Sequence, residues 1–311
     1  FNIKSLLEKE NREKAFDLGY IRAYVNFLFA KRLSESKLKV RLLVEWYENQ
    51  IIDRGMIKGF HNFLPHAKVV GYQGFIVSPH LHHYVSPIKS EIIGGVVPDE
   101  VAVIGEGLFD QVKRYDKNIE VVTAPAFRNK NVWEIENETK RSIGKNILVA
   151  LPMYLDEAAV IIDIINEIED SVYNKVWIKP HPSYGPDKVK TFVKDSQFIE
   201  IVTGYFNKYL DKADVLISNA SITVVEAIAK GKPVIVIGNK NGILQNPIPE
   251  TVSKEIWSIC YQPQDTQDVL VRYFETYEVN KSKFKEIGNT VKEKFFEETN
   301  KSNVRKFLHL N

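Results

Sequence analysis

The sequence predicts an α/β protein with two parallel sheets, and three observations carry that reading. Short β-branched apolar runs of strand length recur along the chain, four before residue 130 and six after residue 145. Apolar runs without polar alternation suit strands buried on both faces, and their alternation with helical stretches suits parallel sheets. The stretch between the two groups, Asn129 to Lys145, is polar and without sustained apolar periodicity, so it is expected to link two domains.

The first domain is expected over residues 1–135. Residues Ile3 to Leu33 mix charged and apolar positions at helical spacing, with Ile21, Tyr24, Val25, Leu28 and Phe29 as an apolar stripe, which predicts two helices packed on a sheet. Val40 to Val44 is the first strand and runs into Glu45-Trp46-Tyr47-Glu48-Asn49-Gln50, after which a helical stretch extends to about Phe63. Lys68 to Tyr72 is the second strand, and Gln73 to His80 the loop leaving it. Val101 to Ile104 and Ile119 to Thr123 complete the four, with a short helix from Leu108 to Tyr115 between them. Four strands here against six later lead us to expect that this domain is incomplete or supplemented upstream of Phe1.

The second domain is expected over 143–280. Its strands are Ile147 to Leu151, Val176 to Ile178, Phe198 to Val202, Val215 to Ile217, Val234 to Ile237 and Trp257 to Tyr261. Between the fourth and fifth lies a helix signal: Ser218, Asn219 and Ser221 as caps, Val224, Val225 and Ile228 as an apolar face, and Gly231 as the stop. A strand-turn-helix unit brings free N–H groups to the carboxyl edge of a sheet, where an anion such as phosphate is favoured. Lys179, His181 and Pro182 follow the second strand of this domain and belong to the same edge. Residues 281–311 form a last helical segment, with Phe284, Ile287, Val291 and Phe295 on one face.

Composition excludes several classes. The chain has 311 residues, 44% hydrophobic and 26% charged, enough to bury large cores. A net charge of +2 from 42 basic and 40 acidic residues gives no basis for nucleic-acid binding. One cysteine, Cys260 in a strand-like run, excludes a disulfide framework and reads as a buried thiol. No apolar run has the roughly 18 to 20 residues of a membrane helix, so a cytoplasmic or peripheral location is expected. His80, His82 and His83 lack a nearby carboxylate or cysteine, so contact with a substrate is favoured over a metal site.

The order Lys179-Pro-His181-Pro182, then Ser218-Asn219-Ala220-Ser221 and a helix with Glu226, then Gly231-Lys-Pro and a strand, resembles the nucleotide-binding half of GT-B glycosyltransferases. It is most similar to the branch using cytidine nucleotides: sialyl-, polysialyl- and Kdo-transferases, and CDP-glycerol glycerophosphotransferases. The resemblance implies two Rossmann-like domains with parallel sheets facing a cleft, and a last helix crossing back to the first domain. It implies a metal-independent transferase moving a 3-deoxy-2-ketosugar acid, Kdo or a nonulosonate, from its CMP conjugate to a bacterial surface glycan or glycolipid. The donor nucleotide is then the one small molecule required, held by Lys179, His181, Pro182, Ser218, Asn219, Ser221 and Thr223. Glu226 would contact the ribose, unless it is simply a solvated helix position.

In the first domain, Glu45 and Glu48 flank two aromatic residues, and a carboxylate held against rings has its pKa raised towards the range useful for a base. Together with Gly71-Tyr72-Gln73-Gly74, Ser86-Pro87, Val97-Pro98-Asp99 and Ala124-Pro-Ala-Phe-Arg128, this resembles bacterial surface-carbohydrate biosynthesis proteins related to the ketosugar transferases. Glu48 and then Glu45 are the expected catalytic carboxylates, unless Glu48 instead caps the following helix or pairs with Arg54. Gln50, Gln73, His80 and Arg128 are the expected substrate contacts. Other readings remain open: a CDP-glycerol-type phosphotransferase, although Ser218-Asn219-Ala220-Ser221 departs from its Asp-Tyr-Ser-Ser; a non-hydrolysing UDP-sugar epimerase; or a GT-B module that binds nucleotide without transfer.

Overall fold

The computed structural model describes residues 4–5, 8–9, 17–78, 80, 83–134, 144–219, 221–239, 242 and 244–310. Most of the first expected helix, His82, Ala220 and most of the expected linker lie outside the described residues. Two compact units emerge: one comprises residues up to Phe75, His82 to Arg128 and the tail from Glu297, the other Ile76 to Leu81 and Asn129 to Phe296.

The first unit holds a four-stranded parallel sheet in the order β1-β2-β3-β4, formed by Leu42–Trp46, Lys68–Gln73, Glu100–Val103 and Val121–Thr123. β1 extends past the expected end: pairing of Glu45 with Gly71 and Trp46 with Tyr72 carries it through the polar residue that interrupts its apolar run. Helix α1 (Leu18–Ser34) lies against α2 (Ile51–Phe63), and the expected stripe is reversed. Ile21, Tyr24, Val25 and Phe29 are 49%, 63%, 57% and 52% exposed, whereas Ala23 and Ala30 are buried. The reason is close approach: a Cβ on Gly55 would sit 2.1 Å from the Ala23 carbonyl oxygen, so the glycine side of α2 accepts only the small-residue side of α1. Short helices α3 (Lys89–Gly94) and α4 (Phe109–Val112) complete the connections.

The second unit holds β5 (Asn146–Ala150), β6 (Lys175–Lys179), β7 (Ile199–Ile201), β8 (Val215–Ser218), β9 (Val234–Ile237) and β10 (Trp257–Cys260), all parallel, in the order β10-β9-β8-β5-β6-β7. Ile147, Leu148, Val149, Val215, Leu216, Ile217 and Val234 to Val236 are almost fully buried, as continuous apolar strands require. Helices α5 (Leu155–Glu167), α6 (Asp187–Lys190), α7 (Phe206–Leu210) and α8 (Thr223–Ala229) follow β5, β6, β7 and β8 in turn. The chain builds outward from β5 through β6 to β7, then returns to the other side of β5 as β8. That reversal makes β5/β8 the topological switch point, where open α/β sheets leave a crevice beyond the strand ends.

Helix α9 (Pro263–Phe295) is continuous, so the expected boundary at 280/281 falls inside it. It packs on α8 where Gly288 meets Gly231, whose backbone is left-handed at φ 69°. The chain re-enters the first unit at Glu297, whose N–H donates to the Ile104 carbonyl, and ends in α10 (Lys301–Phe307). Phe307 packs on Tyr72 and Phe127, and His309 bonds the buried Glu100. Cys260 is buried, which pushes its thiol up to about 11. Among the described residues, no helix is long and apolar enough to cross a membrane.

Candidate functional site

The residues after β6 present one donor array. Lys179 is the last residue of β6, half-buried, with its pKa held below the usual lysine range by burial. His181 follows, and the Ser183 backbone N–H donates to its Nδ1 at 3.1 Å. An Nδ1 that accepts leaves the ring proton on Nε2, so the neutral imidazole offers an N–H donor. Burial, and then the charge of Lys179, hold the His181 pKa below its ordinary value. Pro182 fixes the backbone between them. This loop is tied to the end of β5: Tyr184 Oη donates to the Pro152 carbonyl at 2.6 Å and Ser183 Oγ to that of Met153 at 3.4 Å.

Across β5, the residues after β8 divide into two kinds. Ser218 is fully buried and donates to the Ala150 carbonyl at 2.7 Å, joining the ends of β8 and β5. Its expected nucleotide contact is corrected to this internal bond. Asn219 Nδ2 donates to Glu157 Oε2 at 2.8 Å, bridging the switch point from β8 to α5. Ser221 Oγ accepts from Thr223 Oγ1 at 3.0 Å and from the Thr223 N–H at 3.3 Å, which places both hydroxyls at the entry of α8. The α8 helix starts at Thr223 with Ile222 in the cap position, just beyond the expected caps Ser218, Asn219 and Ser221.

Glu226 is neither solvated nor facing an open crevice. It is 7% exposed and accepts from Asn129 Nδ2 at 2.6 Å, so the carboxylate expected at a ribose holds the segment entering this unit. Sequence reasoning missed the carboxylate that does line a cavity. An open-sided pocket lies between α5 and the ends of β8 and β9, lined by Glu157, Val160, Ile161, Asn219, Gly238 and Leu244, among others. Glu157 stands in the first turn of the helix leaving the switch strand, a position that only the strand order identifies.

His80, also in this unit, pairs with Glu250 at 2.9 Å on the surface. Among the described residues, no group of three or more His, Cys, Asp or Glu side chains is placed to hold a metal.

In the first unit the carboxylates at the end of β1 separate sharply. Glu45 is half-buried, its Oε1 is buried without a hydrogen-bond partner, and its pKa is pushed up to about 8, by burial first and then by the charge of Asp53. Glu48 accepts from Trp46 Nε1 and from Gln50 Nε2, both at 2.7 Å, so each of its oxygens is occupied by a neutral donor. It neither caps α2 nor pairs with Arg54. Asp53 caps α2 by accepting from the Glu48 and Gln50 N–H groups, and Arg54 pairs with Glu91. Asn49, left-handed at φ 58°, makes the turn and is locked by Tyr47, Glu91 and the Tyr84 carbonyl. Gln73 is 3% exposed and donates to the Val85 carbonyl, which corrects its expected substrate contact. Arg128 is exposed and lies over the ring of Trp46, itself 40% exposed.

No protein-family model and no curated protein matches the chain. Solved structures do. A glycosyltransferase from Rickettsia africae superposes with a TM-score of 0.57 at 13% identity, over 92% of this chain and 80% of that one. The glycotransferase of kitacinnamycin gives a TM-score of 0.57 at 10% identity, over 95% and 84% of the two chains. HepE of Anabaena, in complex with UDP, gives 0.54 at 8% identity, over 91% and 80%. At these identities the likeness concerns the fold, and the chain has the two-domain α/β architecture with parallel sheets that is named GT-B.

Proposed function

We propose that this protein is a metal-independent glycosyltransferase that binds a pyrimidine nucleotide sugar on its second unit and passes the sugar to a glycan or glycolipid hydroxyl. The observation that carries this reading is convergence on one sheet edge. Lys179, the His181 Nε2–H, and the Ser221 and Thr223 hydroxyls all stand at the carboxyl ends of strands flanking the β5/β8 switch point. Cationic and N–H donors at such an edge suit a diphosphate leaving group, whose developing charge they stabilise during transfer. A GT-B neighbour holding UDP supports the nucleotide class, and it favours testing UDP beside CMP, since a CMP-ketosugar donor has only the sequence resemblance behind it.

The carboxylate that activates the acceptor is assigned to Glu45, with Glu48 second. A base must have a free oxygen and a pKa near the working pH, and Glu45 has both, whereas the Glu48 oxygens are occupied. Trp46 with Arg128 above it provides an exposed aromatic and cationic surface suited to an anionic or hydroxylated acceptor. Peripheral association with an anionic membrane is part of this proposal: the exposed apolar side of α1 carries Arg22, Lys31 and Arg32, and the helix has no acidic residue.

The test is calorimetric titration of the wild-type chain with UDP and CMP, alongside His181→Ala and Ser221→Ala. Each replacement is expected to weaken binding by about 1 to 3 kcal/mol, the loss of a charge-assisted hydrogen bond. Unchanged affinity in both variants removes the phosphate assignment.

A further inference from the structure

The pocket beside the switch point contains an acceptor that the protein leaves unused. Asn219 is 8% exposed, and the bond from its Nδ2 to Glu157 sets the orientation of the amide, because the reverse orientation would bring two acceptors together. Its Oδ1 is therefore fixed, buried and without a hydrogen-bond partner. Buried acceptors are normally satisfied, and Asn219 is one of the residues that line the pocket, from which a ligand would supply the missing donor. Glu157 adds a carboxylate to the same wall, while Val160, Ile161, Ile237 and Leu244 form an apolar lining. Among the described residues that line the pocket, Glu157 is the one that is charged.

We propose that this pocket receives a neutral ring bearing adjacent hydroxyls, which donate to Asn219 Oδ1 and to the Glu157 carboxylate while the C–H face of the ring rests on the apolar wall. The inference rests on the nucleotide-sugar reading and narrows it. Where the transferred sugar is the ring, a sugar acid would bring its carboxylate against Glu157, so that arrangement selects a neutral sugar over a ketosugar acid. The diol has two possible sources, the ribose of the nucleotide or the transferred sugar.

The experiment is calorimetric titration of the full chain and its Glu157→Ala, Glu157→Gln and Asn219→Ala variants. The probes are UMP, 2′-deoxy-UMP, UDP, UDP-glucose, UDP-N-acetylglucosamine and CMP-N-acetylneuraminate. If the ribose fills the pocket, Glu157→Ala and Asn219→Ala weaken UMP about tenfold and leave 2′-deoxy-UMP unchanged. If the sugar fills it, they leave UMP and UDP unchanged and lower the affinity for a neutral UDP-sugar to that for UDP. In the second case, Glu157→Gln, which keeps the shape and removes the charge, also narrows the gap between neutral and acidic donors. Unchanged affinities for every probe, or loss of UDP-sugar affinity in the variants with wild-type preference for the acidic donor, overturn the inference while leaving the transferase reading intact. Failure of the wild-type chain to bind any of the nucleotides overturns both.

Discussion

Replacing Glu45 by Gln should raise stability and abolish turnover together. Folding raises this carboxyl from its ordinary 4.5 to about 8, so between those values the folded chain holds a proton that the unfolded chain has released. Stability contributed at this site therefore falls as pH rises through that window, and the whole cost is present above about pH 8. At about 1.4 kcal/mol per tenfold change in proton affinity, the upper bound on the cost is about 5 kcal/mol. Glu45 is partly open to solvent, so relief of about 1 to 3 kcal/mol is expected, or a few degrees in melting temperature. Glu45→Gln, which cannot ionise, should match wild type near pH 4.5 and exceed it near pH 9. A base must be ionised to act, so wild-type turnover should rise through about pH 8 and fall at least a hundredfold in the variant. Melting curves at the two pH values and a product assay across pH 6 to 9 measure both. A variant less stable than wild type at pH 9, or one retaining near-normal turnover, refutes the reasoning.

Ser218→Ala should lower stability by about 1 to 2 kcal/mol, because the Ala150 carbonyl loses its buried donor, yet leave nucleotide affinity unchanged; urea midpoints and titration check the two halves separately. Gly55→Ala should cost at least about 1 to 3 kcal/mol by forcing α1 from α2, read as a lower urea midpoint with an unchanged slope. Binding of a UDP-sugar, whose phosphates do not titrate in this range, should strengthen as pH falls from 7 to 5, because the anion favours the imidazolium of His181, whose pKa is otherwise held down. Proton uptake measured in buffers of different ionisation enthalpy should disappear in His181→Ala. The chain should sediment with vesicles containing anionic lipid in a salt-sensitive way, and Ile21→Ser with Phe29→Ser should weaken this; equal recovery with neutral vesicles counts against the charge argument.

The sheets were legible because parallel strands are apolar on both faces, and runs such as Val215 to Ile217 and Val234 to Ile237 have no competing helical pattern. β1 was read short because Glu45 breaks its apolar run, although pairing with β2 continues through Trp46. The α1 stripe was visible as a pattern, but periodicity identifies an apolar face without identifying what covers it. The contact that forms is set by Ala23, Ala30 and the glycines of α2. Ser218 and Ser221 look alike in sequence, yet one ends a buried strand and the other opens a turn. Glu226, expected at a ribose, is buried against Asn129, whereas Glu157, which the sequence did not single out, lines the pocket. An acid in the first turn of a helix reads as a partner of the helix dipole, and only the strand order reveals that α5 leaves the switch point.

The central claim is that a nucleotide's phosphate is held at the carboxyl edge of the second sheet, and a crystal structure of the chain with UDP or CMP tests it most directly. The account predicts phosphate oxygens within hydrogen-bond distance of the His181 Nε2 and of the Ser221 or Thr223 hydroxyl, with Lys179 beside them and Ser218 still bonded to the Ala150 carbonyl. A nucleotide bound elsewhere, with His181 and Ser221 both free of it, contradicts the account.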